Sequence, residues 1–110
     1  MGDCIFCKII AGQIPCAKIF ENKDVIAFND INPKALVHVL VIPKKHIESI
    51  MHIESLDKEL VGELFLTAKS IAKEKNLTGY KLLFNVGKDG GQAVPHLHLH
   101  LLSPEWHKPV

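Results

Sequence analysis

From position 96 the chain reads His96-Leu97-His98-Leu99-His100-Leu101-Leu102. Strict alternation of polar and apolar side chains has the period of a β-strand, in which successive side chains point to opposite faces. The segment predicts a strand with three imidazoles on one face and leucines buried behind the other. Same-face neighbours on a strand stand about 6.6 to 7 Å apart, and a row of unpaired imidazoles against a protein interior is costly unless it is used. Histidine is also the one side chain whose ordinary pKa lies near neutrality, and a neutral imidazole offers a lone pair to a proton, an electrophile or a metal. Two chemistries follow: a tri-histidine metal centre, or nucleophilic catalysis by the central imidazole with its neighbours orienting it and handling protons. Alternation alone does not separate them.

The rest of the chain supplies a scaffold for that strand. Cys4 to Ala11 carries Ile5, Phe6, Ile9 and Ile10 at helical spacing and is stopped by Gly12, which predicts a short helix. Ala17 to Glu21 and Val25 to Phe28 are short apolar-rich runs around Asn22-Lys23-Asp24, a hairpin composition. Asn29 to Pro33 reads as a loop, and Val37 to Ile42 as a central strand, because it is apolar on both faces and stops at Pro43. From Ser55 onward Leu60, Val61, Leu64, Phe65, Ala68, Ile71 and Ala72 recur at three- and four-residue steps, the clearest helix in the chain. Tyr80 to Val86 and His96 to Leu102 complete five strands. One long helix, one short helix and short connections predict an α+β domain on a five-stranded antiparallel meander.

With 110 residues, the chain is expected to form a single domain spanning 1–110, small enough that association would help it bury surface. A formal net charge of +1 without any block of basic residues argues against a nucleic-acid surface, so an anionic ligand is expected to be small. Nowhere do about 18 apolar residues run together as a membrane span would require, and the amino terminus lacks a signal-peptide pattern, so the expected location is cytoplasmic. Three cysteines in a reducing compartment read as thiols or ligands rather than disulfides, with Cys16 a lone thiol.

The loop Asp89-Gly90-Gly91-Gln92 stands just upstream of the histidines. Glycines leave no side chain in the way, so backbone N–H groups there are expected to approach a ligand closely, as phosphate oxygens require. Loop and histidines together point to phosphoryl or nucleotidyl chemistry, in which an imidazole attacks phosphorus and divides one displacement into two.

The histidine row resembles the signature of the histidine-triad (HIT) nucleotide hydrolases and transferases. Ile9-Ile10, Ile14-Pro15, Ala27 through Pro33, His38 through His46, Gly79-Tyr80-Lys81 and Asn85 through Gln92 resemble the branch of histidine-triad nucleotide-binding, or Hint-like, proteins. That resemblance implies a HIT-like fold pairing through its long helix and a strand into a ten-stranded sheet in a C2 homodimer. It implies a purine nucleotide hydrolase that cleaves a nucleoside 5′-monophosphate, an AMP or GMP derivative, from an amine through a covalent nucleotidyl-histidine. A dinucleoside polyphosphate hydrolase and a non-enzymatic nucleotide- or partner-binding module are the alternatives. Residue by residue, His98 would be the nucleophile, with His100 at the phosphate, His96 orienting the site and His38 beside them. Asp30 would bind ribose hydroxyls; Phe6, Phe28, Ile31 and Leu40 would wall a purine pocket; and Asn85, Gly91, Gln92 and Ala93 would lie along the phosphate. For the apolar residues ordinary core is the plain alternative, and for Asp30 a turn.

Cys4 and Cys7, three apart, can present two thiolates to one tetrahedral metal, but a structural zinc needs two further ligands. Within the resemblance His46 and His96 supply them, so a structural zinc on Cys4, Cys7, His46 and His96 is expected. An imidazole committed in that way cannot shuttle protons through the same nitrogen, which would leave the chemistry to His98 and His100. Two departures from the pattern are Ala93, where a serine is common, and Ser103-Pro104 in place of a glycine pair. His52 and His107 show no partner and read as surface residues, and Trp106 as an exposed or packing residue.

Overall fold

The structure, a computed structural model, describes residues 3–104; Trp106 and His107 lie outside the described residues. Five strands form one antiparallel sheet: β1 Lys18–Glu21, β2 Val25–Asn29, β3 Val37–Pro43, β4 Lys81–Leu83 and β5 Leu99–Ser103. The spatial order is β1-β2-β3-β5-β4, so the meander expected from the sequence is broken at its end, where β5 inserts between β3 and β4. Burial explains the order. β5 is buried at four of its five residues and takes a neighbour on each side, whereas the half-buried β4 accepts the edge.

The hairpin between β1 and β2 is closed as its composition predicts. The Asn22 side-chain oxygen accepts the N–H groups of Asp24 at 2.9 Å and Val25 at 2.8 Å. The short helix α1, Ile5–Ile10, ends in a left-handed Gly12 (φ +78°), with Gly12 N–H on Ile9 O and Gln13 N–H on Lys8 O. That double bond closes the last turn and satisfies carbonyls a helix end would otherwise orphan. The long helix α2 spans Lys58–Glu74. It begins three residues later than its periodicity suggests, because Ser55–Asp57 is a tighter 3-10 turn in which Asp57 Oδ2 accepts the Glu54 N–H at 2.9 Å. The helix stops at Asn76, whose φ of +57° carries the same double-bonded ending onto Lys73 and Ala72.

Both faces of the sheet are covered. On one, Val25, Ala27, Val39, Val41, Leu97, Leu99 and Leu101 pack under Leu64, Ala68, Ile71 and Ala72 of α2. On the other, Ile26, Phe28, Leu40 and Ile42 meet Cys4 and Phe6 at α1. Each fully buried leucine or isoleucine here contributes on the order of 2 kcal/mol of transfer free energy. The leucines of the alternating segment therefore point to α2 and the imidazoles to the α1 side, as alternation requires.

The strand itself is shorter than expected. It begins at Leu99 rather than His96, so only His100 stands within the ladder, opposite Leu40 of β3 and Leu83 of β4. The lead-in is drawn off the sheet by other bonds: His96 N–H reaches Val94 O at 2.8 Å and Leu97 N–H reaches Ile47 O at 2.6 Å. β4 shortens for the same reason. Tyr80 to Val86 was the expected strand, and its pairing ends at Leu83 because β5 has only Leu99 beyond His100.

Candidate active site and metal-ligand cluster

Cys4 caps the start of α1 and Cys7 lies one turn on, while His46 follows β3 and His96 precedes β5. Their ligand atoms lie within 4.8 Å of one another. His46 Nδ1 and His96 Nδ1 are 3.1 Å apart; Cys4 Sγ is 3.4 Å from His96 Nδ1; and Cys7 Sγ is 3.3 Å from His46 Nδ1 and 3.7 Å from His96 Nδ1. A tetrahedral ion with Zn–S of about 2.3 Å and Zn–N of about 2.0–2.1 Å has ligand–ligand edges of roughly 3.3 to 3.8 Å, and the cluster sits close to them. His96 Nε2 faces Pro43 O at 2.9 Å. A carbonyl only accepts, so Nε2 carries the hydrogen and the Nδ1 lone pair points at the sulfurs, the second-shell arrangement a ligating histidine uses. Burial holds His96 neutral, pushing it down to about 4 against the pull of the Pro43 carbonyl. Burial likewise raises the Cys7 thiol, with Cys4 adding to the effect. Two sulfurs and two imidazole nitrogens in this geometry fit a zinc-like ion.

Beside this cluster stand the other imidazoles. His98 Nδ1 lies 2.7 Å from His96 O, so by the same argument Nδ1 carries the hydrogen and the Nε2 lone pair is free. Burial lowers the His98 pKa and keeps the ring neutral. His38 and His100 form a fixed chain. Lys34 N–H donates to His38 Nδ1 at 3.0 Å, which leaves the His38 hydrogen on Nε2, where it donates to His100 Nδ1 at 2.9 Å. His100 must then carry its own hydrogen on Nε2. That atom is buried and, among the described residues, has no hydrogen-bond partner. Burial pushes His100 down to about 4, with His98 and His38 adding to the effect, and burial also lowers His38. One imidazole thus presents a lone pair and its neighbour, 4.9 Å away between ring centres, an unused N–H.

Phe6 of α1 closes this group from above, edge-on to His98 at 5.2 Å, to His96 at 5.8 Å and to Phe28 at 5.6 Å between ring centres. Phe6, Phe28 and Leu40 are brought together but are 4–6% exposed, so the core reading of these residues describes their packing. Ile31 does not join them; it stands 91% exposed in the loop after β2. Asp30 serves that loop's turn, its Oδ1 accepting Asn32 N–H at 2.9 Å, while Oδ2 lies 3.4 Å from His38 Nε2.

The Gly-rich loop differs from expectation. Gly90 N–H bonds Gly87 O, Gly91 N–H bonds Lys88 O and Gln92 N–H bonds Gly87 O, so three of the amides expected to face a ligand close the loop's own turns. Asn85 Nδ2 reinforces them through Gly90 O at 3.0 Å. Ala93 follows the loop and is exposed. His52, read as partnerless, is not: Ser49 Oγ is 2.8 Å from its Nδ1 and Glu48 Oε2 is 3.5 Å from its Nε2. The Glu48-Ser49-His52 spacing on one short turn was the available signal. A groove of about 420 Å³ lined by Lys23, Lys44, Lys45, Asp57 and Glu63 shares no residue with the imidazole group.

Residues 3–110 match the family model described as the scavenger mRNA decapping enzyme C-terminal binding domain. Protein HitA of Neisseria gonorrhoeae is 46% identical over 104 residues, covering 94% of this chain and 97% of its own. A HIT-like protein of Helicobacter pylori is 50% identical over 105 residues, covering 94% and 98%. Among solved structures, a histidine triad protein from Clostridium difficile superposes with a TM-score of 0.94 at 44% identity, covering 100% of this chain and 97% of that one. A HIT family hydrolase from Legionella pneumophila superposes with a TM-score of 0.92 at 45% identity, covering 96% of each. The sheet, the helix behind it and the imidazole group define a histidine-triad domain. The chain belongs to the HIT family.

Proposed function

We propose that this protein is a nucleotide-binding hydrolase that releases a nucleoside 5′-monophosphate from an amine, with purine nucleotides such as AMP or GMP derivatives as the substrate class. The carrying observation is the pair of fixed tautomers: a lone pair on His98 Nε2 next to a buried N–H on His100 Nε2 that has no partner among the described residues. Solved relatives described as HIT family hydrolases support the reaction type. In the proposed sequence His98 Nε2 bonds to phosphorus, the P–N bond breaks with its electron pair going to nitrogen, and the amine leaves with a proton from solvent. Water then bonds to phosphorus as the bond from phosphorus to His98 breaks, its electron pair returning to Nε2 and one water proton passing to solvent, which gives the monophosphate and free His98. The His100 N–H faces a phosphoryl oxygen throughout, where charge develops.

Cys4, Cys7, His46 and His96 are proposed to hold a structural zinc, which supplies a cross-link between α1 and the two strands' ends rather than chemistry at the phosphate. His96 then acts through its carbonyl, which aims His98. A C2 homodimer through α2 and the edge strand β4 belongs to the same reading; Phe65 and Leu66 stand 42% and 63% exposed on α2, and β4 is the last strand in the sheet order. The test is to react the protein with adenosine phosphoramidate, quench rapidly and map mass by fragmentation. An adenylyl group on His98 is expected; turnover with the adduct on another residue, or none with any phosphoramidate, sinks the proposal.

A further inference from the structure

Gln92 stands at the end of the Gly-rich loop, where the sequence suggested a ligand contact. Its amide has two N–H donors and one acceptor oxygen. All three are engaged with backbone, each on a different segment: Nε2 donates to Glu48 O at 2.7 Å and Val94 O at 2.9 Å, and Oε1 accepts Gly87 N–H at 2.9 Å. Glu48 lies two residues beyond His46, Val94 two before His96, and Gly87 opens the loop. The segment after β3 also holds the strand lead-in directly through Ile47 O and Leu97 N–H at 2.6 Å. Met51, on that same segment, closes over Gly87 so tightly that a Cβ there would meet its Cε at 2.8 Å, and Gly87 has a φ of +70°. A donor already committed twice cannot reach a phosphate without letting go of Glu48 O or Val94 O, the carbonyls that tie the loop's end to the neighbouring segments.

We infer that Gln92 is a positioning residue, the clasp that fixes the Gly87–Gly91 loop against the segments bearing His46 and His96, and through that pose sets affinity for the phosphate of a bound nucleotide. The inference rests on the nucleotide-binding reading above and goes beyond it by moving Gln92 from ligand to brace. Loss of the clasp frees the loop while leaving the nucleoside end of the ligand untouched.

The experiment uses the full chain and Gln92→Met, which keeps length and removes all three bonds. Amide hydrogen exchange is followed in the unliganded protein, and dissociation constants are measured for AMP and for adenosine. Exchange across 87–91 is expected to accelerate at least tenfold, AMP to bind about tenfold more weakly, adenosine to bind unchanged, and Tm to stay within a few degrees. AMP affinity lost without faster loop exchange would make Gln92 a direct ligand and overturn the inference. Equal losses for AMP and adenosine would overturn it too, as a general collapse of the site. Should the Met variant fail to fold, Gln92→Glu keeps the acceptor for Gly87 and removes both donors; the amides of 88–91 must then exchange faster while that of Gly87 stays protected. If the wild-type chain binds no AMP, the nucleotide reading falls, while the exchange measurement still decides whether Gln92 clasps the loop.

Discussion

Carbonyl oxygens accept and backbone N–H groups donate, and from those two rules the protonation of three imidazoles follows without placing a hydrogen. His96 O fixes His98, Lys34 N–H fixes His38, and His38 fixes His100. The consequence for mutation is specific. His98→Ala is expected to lower kcat by at least 10⁴-fold and His100→Ala by about 10²- to 10³-fold, with AMP affinity changing less than about threefold in the first case. Single-turnover kinetics with adenosine phosphoramidate checks both, and a His98→Ala protein within tenfold of wild type would remove the nucleophile. The alternating sequence made the imidazoles' common face legible. It did not reveal that His96 leaves the strand, because the bonds that draw it away come from Val94 and Ile47, neither of which alternation marks. Nor could spacing announce the Lys34 amide, a backbone group in a loop.

At the scale of elements, α1 is short, only Ile5–Ile10, and too brief to hold itself together in water. It is attached through Phe6 in the core of the α1 face, with Ile9 and Ile10 packed against the same core, and through the two thiols facing His46 and His96. A zinc ion on those four side chains would bind the folded chain and not the unfolded one, and so stabilise it by mass action. Removing metal with a strong chelator is therefore expected to lower Tm by on the order of 5 °C or more, while Cys7→Ser starts low and does not respond. Identical melts with and without chelator, or a zinc content far below one per chain, would exclude the metal. The helices were legible from three- and four-residue spacing and the hairpin from Asn22. The place of β5 was not, since insertion between β3 and β4 depends on which strand has two faces and two edges to bury, a property of the assembled sheet.

The molecule as a whole carries its acid sensitivity on the face where the imidazoles are buried. His100 is pushed down to about 4 from an ordinary value of 6.5, so between those values the unfolded chain takes up a proton that the folded chain refuses. Stability then rises with pH through that window: it is fully present above about pH 6.5 and falls as pH drops toward 4, by on the order of 1–3 kcal/mol for this group. The groups facing His100 are His98 and His38, whose charge would oppose protonation, Lys34, which does the same, and Asp30, which favours it. Glu21, drawn down to about 2 by Lys18 and Lys44, and Asp57, lowered by Lys45, act with the same sign but only at lower pH, where carboxylates of the unfolded chain protonate. The two ranges can be told apart. Urea unfolding at a series of pH values is expected to show a loss between pH 6.5 and 4 that His100→Gln reduces, leaving the steeper fall below pH 4 in place. A curve that His100→Gln leaves unchanged from pH 6.5 to 4 would mean that this half-buried imidazole takes its proton as readily in the folded chain as in the unfolded one.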